Sequence, residues 1–188
     1  RLVTPNSPHK LAISGRYLYM SVQAGNQNAL EIYDVSSPAI ALVSRLTIPG
    51  GIINGLAVDS SFVYVSGFQG LTKIDASNPY SPVLLGTAPL SGLAFRDVVV
   101  FQGKAYVAEQ TPGGVGVLLI YDTSTSTPSL ISRVDGLPFL VNSNVTYPRF
   151  ALAGRYLIYA HGSTVANTGL SIIDVSNSVA PIRLSLFG

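Results

Sequence analysis

One short phrase recurs four times in 188 residues, each time in the same setting. The copies are Leu30–Asp34 (LEIYD), Leu71–Asp75 (LTKID), Leu118–Asp122 (LLIYD) and Leu170–Asp174 (LSIID). A Ser/Thr/Asn cluster and then a proline follow each one: DVSSP, DASNP, DTSTSTP and DVSNSVAP. Successive aspartates stand 41, 47 and 52 residues apart, a period that marks propeller blades and solenoid units. A chain with such a period has to bury its apolar surface between neighbouring copies, which is a strong constraint on its fold.

Each unit reads as four short strands. Upstream of the phrase lies an apolar stretch opened by a tight turn: Gly15–Tyr19, Ser61–Val65, Lys104–Val107 and Arg155–Tyr159. Before each turn is another, Leu11–Ser14, Leu56–Asp59, Val98–Phe101 and Phe150–Ala153. After the proline comes the last, Leu42–Ile48, Val83–Ala88, Leu130–Val134 and Ile182–Phe187. Four-stranded antiparallel units at this period read as an all-β propeller, or a segment of a larger one, with four blades. Their expected spans are roughly 11–48, 55–90, 94–135 and 149–188, within one repeat domain. Gly and Ser at the turns tolerate the backbone angles a hairpin needs. The phrase-ending aspartate can accept backbone N–H groups two residues on, and the proline suits an outer edge strand. Asp34, Asp75, Asp122 and Asp174 are therefore expected to hold turns. Lys73 breaks the pattern, standing where the other units have isoleucine: its ammonium should escape to solvent, or its blade should be distorted.

The phrase with its trailing Ser and Pro is similar to the LVIVD repeat. That resemblance implies a β-propeller, found mostly in bacterial and archaeal surface or secreted proteins, and it carries no catalytic residues to transfer.

The opening Arg1-Leu2-Val3-Thr4-Pro5 matches Arg45–Pro49 in its first two residues and its last. Arg1, Leu2, Val3 and Thr4 are thus expected to form an extra strand, the fourth of an incomplete preceding blade. Self-association or further blades would supply its partner, because an open apolar edge invites pairing.

Composition narrows the function. The net charge of +2 is carried by scattered basic residues, unlike the clustered Lys and Arg of a nucleic-acid binder. No apolar run approaches the length needed to insert into a bilayer. Without cysteine there is no disulfide, thiolate metal site or cysteine nucleophile. Ser, Thr, Asn and Gln outweigh Lys and Glu at surface positions, and Asn144-Val145-Thr146 is a glycosylation sequon. Both fit an extracellular or cell-surface protein.

The longer connections, Val22–Ala29, Glu109–Gly116, His161–Gly169 and Asp135–Arg149, fall on one face of the blades. Glu109 and His161 end equivalent strands there, with Arg149 nearby, and they are the candidate binding residues. One His and one Glu are too few for a zinc site, so neither metal nor cofactor is expected. Gly113-Gly114-Val115-Gly116 starts a GxGxxG pattern, but Leu119 replaces the third glycine. His9 is expected in a loop among prolines. The strand tyrosines suit packing between blades, with carbohydrate stacking as the sharper alternative. The reading is a non-enzymatic structural or adhesive module; a glycan- or protein-binding propeller is the alternative, and a hydrolase or lyase a weaker one.

Overall fold

The computed structural model describes residues 7–24, 27–89, 94–111, 116–137, 149–161 and 169–187. All sixteen regular elements among them are strands. Blade 1 is β1 (Ser7–Ser14), β2 (Tyr17–Ala24), β3 (Gln27–Asp34) and β4 (Ala41–Ile48). Blade 2 is β5 (Ile53–Asp59), β6 (Phe62–Gly67), β7 (Gly70–Asp75) and β8 (Val83–Ala88). Blade 3 comprises β9 (Ala94–Phe101), β10 (Lys104–Gln110), β11 (Gly116–Asp122) and β12 (Ser129–Leu137). Blade 4 comprises β13 (Arg149–Ala153), β14 (Tyr156–His161), β15 (Gly169–Asp174) and β16 (Ile182–Phe187). Each is an antiparallel meander in chain order.

The repeated phrase forms the third strand of every blade, and its alternation decides what touches what. Two faces result: a leading face toward the next blade and a trailing face toward the one before. Leu30 and Ile32 of β3 pack with Val63, Val65 and Ile74 of blade 2. Leu71 of β7 packs with Val107 and Leu119 of blade 3. Leu118 and Ile120 pack with Leu157 and Ile173 of blade 4. The core is therefore three seams between sheets, with a fourth buried cluster of Met20, Val22, Ala29 and Tyr33 on the trailing face of blade 1. Inner strands meet in the order β1–β5–β9–β13.

The hairpin turns follow the sequence. The first turn residue of each blade has positive φ: Gly15 (57°), Ser60 (55°), Gln102 (49°) and Gly154 (60°). Glycine accepts this at no steric cost, while Ser60 and Gln102 bear a penalty of about 1 kcal/mol. A bulge falls at the same register in every outer strand, opposite the third-strand steps Ile32 to Tyr33, Lys73 to Ile74, Ile120 to Tyr121 and Ile172 to Ile173. Such a bulge bends the edge strand and raises its twist, which is what an outer strand needs as it wraps over a neighbour.

Three expectations need correction. Val22–Ala29 is mostly strand, since β2 runs to Ala24 and β3 begins at Gln27. Blade 1 opens at Ser7 rather than Leu11, so His9 lies in β1, exposed beside a bulge between Pro8 and Lys10. Lys73 neither reaches solvent nor marks a distorted blade. Arg1–Thr4 lie outside the described residues, as do Gly113 to Val115 and Asn144.

Candidate functional site

The four phrase-ending aspartates fasten each blade at its tight-turn end. Oδ1 accepts a backbone N–H two residues on: Ser36 to Asp34 at 2.9 Å, Ser77 to Asp75 at 2.8 Å, Ser124 to Asp122 at 2.7 Å and Ser176 to Asp174 at 2.9 Å. The residue after each aspartate donates its N–H to the carbonyl of the β1–β2-type turn: Val35 to Arg16, Ala76 to Ser61, Thr123 to Gly103 and Val175 to Arg155. Three of the carboxylates also meet a basic side chain from that turn. Arg16 bonds Asp34, Lys104 lies 3.2 Å from Asp122, and Arg155 lies 3.3 Å from Asp174. These bonds favour the ionised form. The Ser124 bonds, then Lys104, bring Asp122 down to about 2, while Arg16 and then Ser36 hold Asp34 lower still. Asp75 and Asp174 are lowered chiefly by the Ser77 and Ser176 N–H groups.

Lys73 joins two blades. Its side chain is 4% exposed on the leading face of β7. Nζ donates to the carbonyls of Thr123 at 2.6 Å and Thr125 at 3.0 Å in blade 3, and sits 4.1 Å from the Phe62 ring centroid. Burial lowers its pKa, while Asp75 and Asp122 partly oppose the shift. Elsewhere the same kind of seam is fastened by hydroxyls: Ser44 donates to the Pro79 carbonyl at 2.6 Å, and Ser132 to that of Ser178 at 2.5 Å. Asp97 accepts the Phe150 N–H at 3.2 Å, tying β9 to β13.

Glu109 and His161 do hold equivalent registers, opposite Val117 and Gly169. Glu109 is buried and shares the side of β10 that carries Ala105 and Val107 against blade 2. It therefore faces away from blade 4, where Arg149 opens β13 opposite Ala160. The side chains of Arg149 and His161 lie outside the described residues. Among the described residues, no group of three or more metal-type ligands occurs. An open cleft of about 330 Å³ lies at the tight-turn end between blades 3 and 4, lined by Phe101, Gln102, Tyr106 and Arg155 among others. Arg155 is already engaged there by Asp174.

The features that sequence reasoning missed are the two terminal sheet faces. On the leading face of blade 4, Ala153, Tyr156, Ile158, Ile172 and Leu184 line a wholly apolar depression of about 260 Å³. On the trailing face of blade 1, Leu11 and Ile13 are exposed. Strand parity carried the signal, because every fully covered seam uses the same registers.

These blades and their phrases match the LVIVD repeat model at residues 7–45, 50–88 and 163–185, more than half of the chain. The chain belongs to the LVIVD-repeat family. Blade 3 falls outside the matched segments, yet it carries the same strand order and the same aspartate turn. No curated protein sequence matches this LVIVD-repeat chain. Among solved structures it is similar to a hypothetical selenium-binding protein from Sulfolobus tokodaii, at 15% identity and TM-score 0.52, over 64% of this chain and 38% of that one. A europium-containing methanol dehydrogenase matches at 15% identity and TM-score 0.51, over 69% of this chain and 25% of that one. A chain of a nidogen/laminin complex matches at 11% identity and TM-score 0.55, over 97% of this chain and 80% of that one. The LVIVD-repeat chain thus spans well under half the length of the first two. At such identities the likeness is one of fold, a β-propeller.

Proposed function

We propose that this chain is a non-enzymatic structural or adhesive module of an extracellular or cell-surface assembly, which associates through the two ends of its blade array. The observation that carries the reading is the apolar depression on the leading face of blade 4, beside the exposed Leu170, where the equivalent leucines of the other three blades are buried. Exposed apolar surface of this continuity marks an interaction site. A second support is the use made of the charged groups. Asp34, Asp122 and Asp174 bind turns and their basic neighbours, Lys73 binds carbonyls, and Glu31 takes the Tyr33 hydroxyl at 2.6 Å with Arg45 at 3.6 Å. These side chains hold architecture, so the reading assigns them no chemistry. The scarcity of Lys and Glu at the surface supports placement outside the cell.

Protease treatment of intact source cells tests that placement. Peptides from the exposed Ser36–Ile40 loop should be released before lysis. Release only after lysis would remove the surface assignment.

A further inference from the structure

We infer that the cleft at the tight-turn end between blades 3 and 4 binds a neutral saccharide, the terminal sugar ring of a glycan. The inference goes beyond the association reading, which concerns the leading face of blade 4.

The repeat supplies its own reference, because the four blades share one turn geometry and any departure from it stands out. Three departures meet at this cleft. The last residue of the inner strand is short in blades 1, 2 and 4 (Ser14, Asp59 and Ala153), whereas in blade 3 it is Phe101, 40% exposed. The first turn residue is a glycine in blades 1 and 4 and the short Ser60 in blade 2, whereas blade 3 holds the long Gln102 there at a φ of 49°. Glycine would adopt that angle freely and glutamine does not. Strain of this kind persists where the side chain has a use.

The third departure lies in the seam itself. Between blades 2 and 3, Thr123 bonds the Tyr64 hydroxyl, and Lys73 spans to the Thr123 and Thr125 carbonyls. One seam further on, Tyr106 stands in place of Tyr64, Val175 in place of Thr123 and Ile120 in place of Lys73. Val175 has no hydroxyl to offer, and Ile120 has no ammonium to reach across. Tyr106 is 4% exposed, and burial raises its pKa with no hydrogen bond acting on it. It lines the cleft together with Phe101, Gln102, Arg155, Val175 and Ser176.

The lining sets the ligand chemistry. At about 330 Å³ the cleft is at the small end of ligand pockets, roughly 300–1,000 Å³, which suits a sugar ring at a chain end. Phe101 and Val175 offer apolar surface to the C–H face of such a ring. Gln102, Tyr106 and Ser176 can donate to and accept from hydroxyls at its edge. Arg155 lies 3.3 Å from Asp174, so opposite charges cancel at the rim and a charged ligand gains little. A wholly apolar ligand would leave Tyr106 and Gln102 without partners. A pyranose, apolar on its faces and hydroxylated round its edge, meets both demands.

NMR titration of the isotope-labelled chain with the methyl glycosides of glucose, galactose, mannose and fucose tests this, up to about 100 mM, beyond the weak millimolar class of affinity. At least one glycoside should shift the amides of Gln102, Gly103, Tyr106 and Arg155 and leave that of Leu170 in place. Phe101→Ala should weaken that binding at least about tenfold. Gln102→Gly should also weaken it, yet leave the urea midpoint nearly unchanged, because relief of φ offsets the freer unfolded chain. A glutamine with a merely structural role would lower the midpoint and leave binding alone. Phe68→Ala, which removes an exposed aromatic from blade 2, should bind as the parent does. Inorganic phosphate, the charged probe, should leave these amides unmoved. The inference is overturned if no glycoside shifts them, if Phe101→Ala binds equally well, or if phosphate gives the stronger response. Association through blade 4 is untouched by any of these results.

Discussion

Leu30 and Leu170 open the same phrase, sit in the same strand of their blades and point the same way, yet one is fully buried and the other is 44% exposed. The blade does not decide that difference; its neighbour does. Blades 2 and 3 have a sheet on either side, whereas Leu170 and Leu184 on blade 4, and Leu11 and Ile13 on the inner strand of blade 1, are exposed. Equivalent positions thus become core where another sheet follows and exposed apolar surface where none does.

The sharpest way to break that comparison is to truncate both leucines. Leu30→Ala should cost about 2–5 kcal/mol, as for a large residue removed from a packed core. Leu170→Ala should cost less than about 1 kcal/mol, because much of its surface already meets water. Urea denaturation of the two variants measures both. Equal losses would mean that blade 4 is covered by something within the chain.

Lys73 and Ile172 give the next contrast, at the third position of the phrase. Lys73→Met keeps the stem but strands the carbonyls of Thr123 and Thr125, at a cost of about 2 kcal/mol. Ile172→Met, on the open face, should be close to neutral. Comparing urea midpoints checks the pair, and a silent Lys73→Met would show that those carbonyls find other donors.

The smallest effect concerns acid. Asp122 has its folded pKa lowered to about 2 by Ser124 and Lys104, against roughly 4 for an unfolded carboxyl. Its stabilising share is fully present above that unfolded value and disappears as pH falls from about 4 through about 2. Asp122→Asn should therefore lower stability slightly at neutral pH and leave it unchanged below about pH 2, which flattens the acid limb of a stability–pH curve; the loss is small, as suits a partly exposed pair. An unchanged acid limb would detach this aspartate from the turn's stability.

Much of this fold was legible because it is written locally. An aspartate two residues before an N–H, a Gly or Ser at a turn and a phrase of alternating residues all act over a few positions. The Asx turns at Asp34, Asp75, Asp122 and Asp174 followed from that alone. The candidate site was far less legible. Glu109 reads as a loop acid when only its neighbours in sequence are considered, yet the parity of β10 sends it into the seam with blade 2. Val22–Ala29 read as a connection, whereas the Asn28 amide donates to the carbonyls of Gly50 and Gly51 from within β3. Lys73 finds acceptors 50 and 52 residues away. A period-2 pattern separates two faces without saying what stands opposite either, and that is where polar residues and free surfaces acquire their meaning.

The aspartate turn also shapes how the array comes into being. Its bonds link only the start of a blade's second strand to the end of its third, so every sheet ties its own knot before meeting another. A nascent chain can finish one meander while the next is still being synthesised, and a repeat can be gained or lost without untying those that remain. What changes with repeat number is only how far round the circle the fan of sheets extends.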